Sequence, residues 1–92
     1  MNEREALKRL RDSLGGLLLD YDIPRSRRLY AMVKAGAHRS AITSLMEGFK
    51  DLMISTITGI DLGDEIELDY HLWCGEAEVT IKTKVPKENP VI

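Results

Sequence analysis

"EIELDYHLWCGEAEVTIKTKV", running from Glu65 to Val85, decides the fold. In its first part Ile66, Leu68, Tyr70 and Leu72 recur at every second position. In its second part Ala77, Val79, Ile81 and Val85 hold a phase of two again. That period places each set on one face of a strand. Gly75-Glu76 sits between the two runs and Gly63-Asp64 stands just before the first, and both pairs suit tight hairpin turns. The spacing therefore predicts strands over 65–73 and 77–85. Upstream, "DLMISTITGI" from Asp51 to Ile60 is rich in β-branched residues and alternates poorly. Such a run suits a central strand covered on both faces, so a strand in that position is expected over 51–60.

Toward the N-terminus, Ala41, Ile42, Leu45, Met46 and Phe49 form one apolar stripe after Gly36, predicting a helix over 38–50. "RRLYAMVK" carries Leu29, Ala31 and Val33 in strand phase, and "LLLDYDI" sets Leu17, Leu19, Tyr21 and Ile23 against Asp20 and Asp22. Strands over 27–34 and 17–23 follow, with Pro24-Arg25-Ser26 breaking the chain between them and a hairpin as the economical join. At the start, "NEREALKRLRDSLGG" sets Ala6, Leu7, Leu10 and Leu14 at helical spacing. Acids lead, bases follow and Gly15-Gly16 ends the run, so a helix is expected over 3–14. The order helix, strand, strand, helix, strand, strand, strand defines an α+β fold. It is a single, mostly antiparallel sheet of about five strands covered by two helices. No repeat, linker or low-complexity stretch divides it, so residues 1–92 are read as a single domain.

The 92 residues are 43% apolar and 30% charged, the balance of a globular domain with a modest core. No apolar run approaches the ~18 residues of a membrane-spanning helix. The start, Met1-Asn2-Glu3-Arg4-Glu5, lacks the apolar block of a signal peptide. Cys74 is the single cysteine and cannot form an internal disulfide, so a reducing, cytoplasmic setting is expected. The net charge of −2 is unevenly spread: residues 1–46 hold nine Lys/Arg and five Asp/Glu, and residues 47–92 hold four and ten. A bipolar surface that guides docking is the expectation. Glutamine is absent and only Asn2 and Asn89 are asparagine, a composition reminiscent of thermophile proteins.

Candidate chemistry is sparse. His71 and Cys74 are three apart, an odd spacing that sends strand side chains to opposite faces. No second ligand pair completes the four that structural zinc takes. The two are read as a surface histidine beside a half-buried thiol. Asp61, Asp64 and Glu65 fall where a hairpin turn asks for Asp and Gly, without the spacing of a calcium loop. No serine or threonine stands in a nucleophile elbow, the two histidines are isolated, and Gly15-Gly16 lacks the lysine of a phosphate loop. Met46 and Phe49 are read as core. No residue is therefore assigned to catalysis, to a metal or to a cofactor. The sharpest basic signal is "PRSRR", with Arg25, Arg27 and Arg28 at a hairpin tip. Three close arginines suit phosphates, which leaves a small nucleic-acid-binding α+β domain as the alternative reading. The acidic chain and the lack of an aromatic platform favour a solvated turn or a dock for an acidic partner.

From residue 51 onward the order of features resembles the 30-kDa-subunit family of respiratory complex I and of membrane-bound, energy-converting nickel–iron hydrogenases. Thr58-Gly59-Ile60-Asp61 is similar to that family's Thr-x-x-Asp turn, and Tyr70-His71-Leu72 to its Tyr-His-Leu strand. Val85-Pro86 is similar to its strand end, with Pro90-Val91 after a short spacer. The helix–hairpin–helix order before them also fits, so the resemblance covers nearly the whole chain. It implies a cofactor-free, non-catalytic scaffold packed beside the large subunit of a redox complex. That partner would be nickel–iron hydrogenase-like or like the 49-kDa subunit of complex I. The resemblance further implies no nucleic acid, contact with the membrane only through the complex, and a place on its inner, cytoplasmic face. Docking is expected at Arg25, Arg27 and Arg28 and along Pro86, Pro90 and Val91, with the tail leaving the sheet at Pro86. In the family, Pro-Val-Ile tends to run on into an acidic, aromatic-rich helical segment, so a missing C-terminal extension is expected after Ile92. The short, glutamine-free form leans toward an archaeal hydrogenase.

Overall fold

The first helix begins where Asn2 caps it. Asn2 Oδ1 accepts from the Glu5 amide at 3.0 Å, Glu3 and Glu5 lie in the first turn and Arg11 in the last, so cap and helix dipole act together. In the computed structural model, which describes residues 2–88, this is α1, Glu3–Leu14. Ala6, Leu7, Leu10 and Leu14 are its buried stripe. Gly15 turns the chain at φ +53°, and a 3-10 turn over Gly15–Leu17 delivers it to the sheet. The first strand accordingly starts at Leu18 rather than Leu17. Strands β1 (Leu18–Arg25) and β2 (Arg28–Val33) form an antiparallel hairpin. Helix α2 spans His38–Gly48, ending two residues short of the expected 50, and β3 (Met53–Asp61), β4 (Glu65–Cys74) and β5 (Ala77–Pro86) follow.

The five strands make one sheet in the order β1-β2-β5-β4-β3. Three of its pairings are antiparallel and β2/β5 is parallel, so the α+β architecture is the expected one. Composition explains why β5 takes the centre. Ala77, Val79, Ile81 and Val85 are at most 1% exposed and Thr83 is fully buried, so this strand needs neighbours on both sides and a cover above. It shares its buried face with Leu29, Ala31 and Val33 of β2 and with Leu68, Tyr70, Leu72 and Cys74 of β4. The stripe of α1, together with Ala41, Leu45 and Phe49, closes the core.

Several expectations change at this level. β3 lies at the edge of the sheet rather than its centre and is exposed at all nine positions. Its weak alternation has another cause: a register shift between Ile54 and Thr56 leaves Ser55 unpaired, a bulge that resets the phase. Pro24 does not break the chain but lies within β1, an edge strand, in the irregular stretch between Asp22 and Arg25 where the ladder registers no partner for it. Met46 is 55% exposed and is not core. The first half of the sequence supplies β1 and β2 and the second half β5, β4 and β3, so the two halves lie side by side in the sheet and meet where β2 pairs with β5. Within the second half, Lys82 and Lys84 oppose Asp69 and Glu67 across the ladder.

Candidate interaction surfaces

Ser26 and Arg27 turn β1 into β2, with Arg27 in the left-handed region at φ +68°. Its backbone is tied on both sides. The amide donates to Glu3 Oε2 at 3.2 Å, and the carbonyl accepts from the Glu78 amide at 2.8 Å. The Arg28 guanidinium donates to Glu78 Oε2 at 2.6 Å and to the Tyr30 hydroxyl at 3.2 Å. The Tyr30 bond, and behind it the Glu78 charge, push the Arg28 pKa up. Of the three arginines expected to dock a partner, Arg28 is therefore committed to the sheet, while Arg25 and Arg27 stand exposed at the tip.

Pro86 pairs with Glu65 at the end of β5. Because β2 and β5 run parallel, this is the far end of the sheet from the arginines. The run from Glu78 to Pro86 is roughly 26 Å at ~3.3 Å per residue. The expected docking residues are thus two separate surfaces; Pro90 and Val91 lie outside the described residues. At this far end Asp61 Oδ1 accepts from the Gly63 amide and Oδ2 from Lys87 Nζ, each at 2.9 Å. Those bonds, the lysine's first, hold the Asp61 carboxyl below its usual range. Asp61 is turn chemistry, as read. The Lys87 amide also donates to the Asp64 carbonyl at 3.0 Å. The chain just past Pro86 is clipped to the β3–β4 turn rather than released.

The face of the sheet away from the helices carries a row of polar side chains across three strands. Thr58 Oγ1 lies 3.4 Å from His71 Nε2, and His71 Nδ1 lies 3.2 Å from Thr80 Oγ1. Beside the row, Lys82 Nζ sits 5.0 Å from the centre of the Tyr30 ring. Burial first, then a hydrogen bond with Asp69 and that residue's charge, push the Glu67 pKa up. Cys74 is on the opposite face, as its odd spacing from His71 requires. It is fully rather than half buried, and burial pushes its thiol up to about 11. Among the described residues no three His, Cys, Asp or Glu side chains gather as a metal site. A row of this kind stiffens a surface and holds its hydroxyls in place.

The surface missed by the sequence reading is the outer edge of β3. Met53, Ile54, Ile57 and Ile60 are 63%, 52%, 49% and 40% exposed, and Met53 lies across the ladder from the half-exposed Trp73. The signal was present in the run itself. From Met53 to Ile60 there is neither charge nor proline, so this edge lacks the devices that usually blunt a free strand.

No protein-family model matches the chain, and no curated protein matches it. Among solved structures, the chain is similar to a chain of the membrane-bound sulfane sulfur reductase, an archaeal respiratory membrane complex. The TM-score is 0.68 with 26% sequence identity over 91% of this chain. The match covers 49% of that chain, so this protein spans about half of its length. Among the described residues no helix is long and apolar enough to cross a membrane.

Proposed function

We propose that this protein is a non-catalytic scaffold subunit of a membrane-associated redox complex, of hydrogenase or NADH:quinone oxidoreductase type. In this reading it packs beside the large subunit that holds the reaction site and reaches the inner face of the membrane only through its neighbours. The observation that carries the reading is the likeness to a chain of an archaeal respiratory membrane complex, TM-score 0.68 at 26% identity over 91% of the chain. The residues of the family resemblance support it by where they fall. Tyr70-His71-Leu72 lies within β4 and Val85-Pro86 ends β5, whereas Thr58–Asp61 is the last stretch of β3 rather than a turn. The nucleic-acid reading has less behind it, because Arg28 is held by Glu78 and the tip amide by Glu3.

Co-expression with a nickel–iron hydrogenase-like large subunit of the same organism tests the proposal. The chain is expected to stay with that subunit through purification and, on its own, to turn over neither hydrogen nor NADH. Turnover by the isolated chain would remove the scaffold reading. Salt-sensitive retention on RNA or DNA without any hold on the large subunit would replace it with the alternative.

A further inference from the structure

Among the described residues both outer edges of the sheet are open to solvent, and they are built differently. β1 carries Asp20, Asp22, Pro24 and Arg25, and its register slips twice. Charges, proline and bulges are the devices that keep a free strand from pairing with another chain. β3 has one irregularity, next to Ile54, and no charge or proline from Met53 to Ile60. Beyond the bulge, Thr56 to Asp61 pair with β4 without a break, so their outward backbone groups form a regular rail. One end of that rail is acidic: Asp61, Asp64 and Glu65 gather at the β3–β4 turn, with Lys87 bonded to Asp61 as the counter-charge.

We propose that the β3 edge docks one extended segment of a partner protein as a sixth, antiparallel strand. That segment is uncharged and β-branched or hydroxylic through its middle and basic at the N-terminal end that reaches Asp61 and Asp64. In strand addition the main-chain hydrogen bonds give affinity and the alternate side chains give selectivity. Here the helix-side side chains meet Ile54 and Ile57, which lie opposite Leu72 and Tyr70 in the ladder. Those on the other side meet Thr58 and Ile60. Charge and regularity argue against a second copy as the occupant. Two β3 edges paired about a two-fold axis bring a bulge to each end of the shared ladder. Each acidic turn then meets Lys50-Asp51 of the other copy, whose charges cancel. The inference stands on the edge alone and does not require the redox-complex reading.

The test uses the whole chain and three fluorescent peptides of about eight residues. The first alternates Val and Thr behind two N-terminal lysines, the second replaces the lysines with glutamates, and the third is the lysine peptide with a central proline. Anisotropy measures binding and amide hydrogen exchange locates it. The lysine peptide is expected to bind saturably and to protect the β3 amides. The glutamate peptide is expected to bind about tenfold more weakly, and the proline peptide not at all. Ile57→Lys, at an exposed position, keeps the unfolding midpoint and loses the binding; Thr56→Lys does the same if the first variant fails to fold. No binding of the lysine peptide, equal binding of all three, or protection at the arginine tip instead of β3 overturns the proposal. So does a dimer of the chain alone that Ile57→Lys dissociates, because a second copy then holds the edge.

Discussion

His38 opens α2 with 1% of its surface exposed, and among the described residues neither ring nitrogen has a hydrogen-bond partner. Its ring stacks on Tyr70, with centroids 5.4 Å apart and planes 12° from parallel. Burial, and secondarily the Arg39 charge, lower its pKa from the usual 6.5. In the window from 6.5 down to the depressed folded value, the unfolded chain binds the proton and the folded one does not, so stability falls as pH falls. Glu67, with a raised pKa, acts in the opposite sense at lower pH, and the readout must therefore be a difference between variants. His38→Phe keeps the stack and removes the nitrogens. It is expected to flatten that part of the slope and to exceed the parent in stability at about pH 5, as urea unfolding at about pH 5 and pH 7.5 would measure. Arg27 poses a different residue-scale question, because it holds φ +68° without the freedom of glycine. Asparagine tolerates that conformation better, so Arg27→Asn is expected to gain up to about 1 kcal/mol in thermal unfolding. If the arginine serves docking, the same substitution weakens retention by the large subunit.

At the scale of the element, burial on one face decides what can be read from sequence. β4 and β5 were legible to within about a residue, because Ile66 to Leu72 and Ala77 to Val85 keep a strict period of two over a covered face. α1 was legible because leading acids, the four apolar residues at helical spacing and Gly15 coincide, while the Asn2 cap emerged only with the structure. β3 was legible as a strand but not as an edge: a β-branched run reads alike in either place, and the bulge at Ser55 erased the alternation. The fate of Arg28 was hidden for a plainer reason, since its partner Glu78 is 50 residues away in the chain. The row Thr58–His71–Thr80 likewise exists only once the register is set. These placements separate two substitutions that sequence alone would rank together. Leu72→Ala, at a fully buried site in β4, is expected to cost ~2–5 kcal/mol, whereas Ile57→Ala, 49% exposed, should stay within ~0.5 kcal/mol. Denaturant unfolding checks both, and similar large losses would return β3 to an interior position.

For the molecule as a whole, extents of 37 × 24 × 23 Å set the reach of any partner. The arginine tip and Pro86 lie at opposite ends of the sheet, so a single large subunit touching both must lie along the molecule's length. Hydrogen exchange in the complex is then expected to slow at Arg25–Arg27, at Pro86–Lys87 and at strand amides between them. Protection confined to one end would leave the other end out of the interface. The central position of β5 reaches further, into the manufacture of the protein. The strand that joins β2 to β4 is also the last of the five to be translated. Until it emerges, the β1–β2 and β3–β4 hairpins share no neighbour, and the helices have half a floor to rest on. The five-stranded sheet therefore closes only after β5 has left the ribosome. The nascent chain waits with its apolar surfaces open to chaperones and proteases, for a time set by an elongation rate of ~5–20 residues per second.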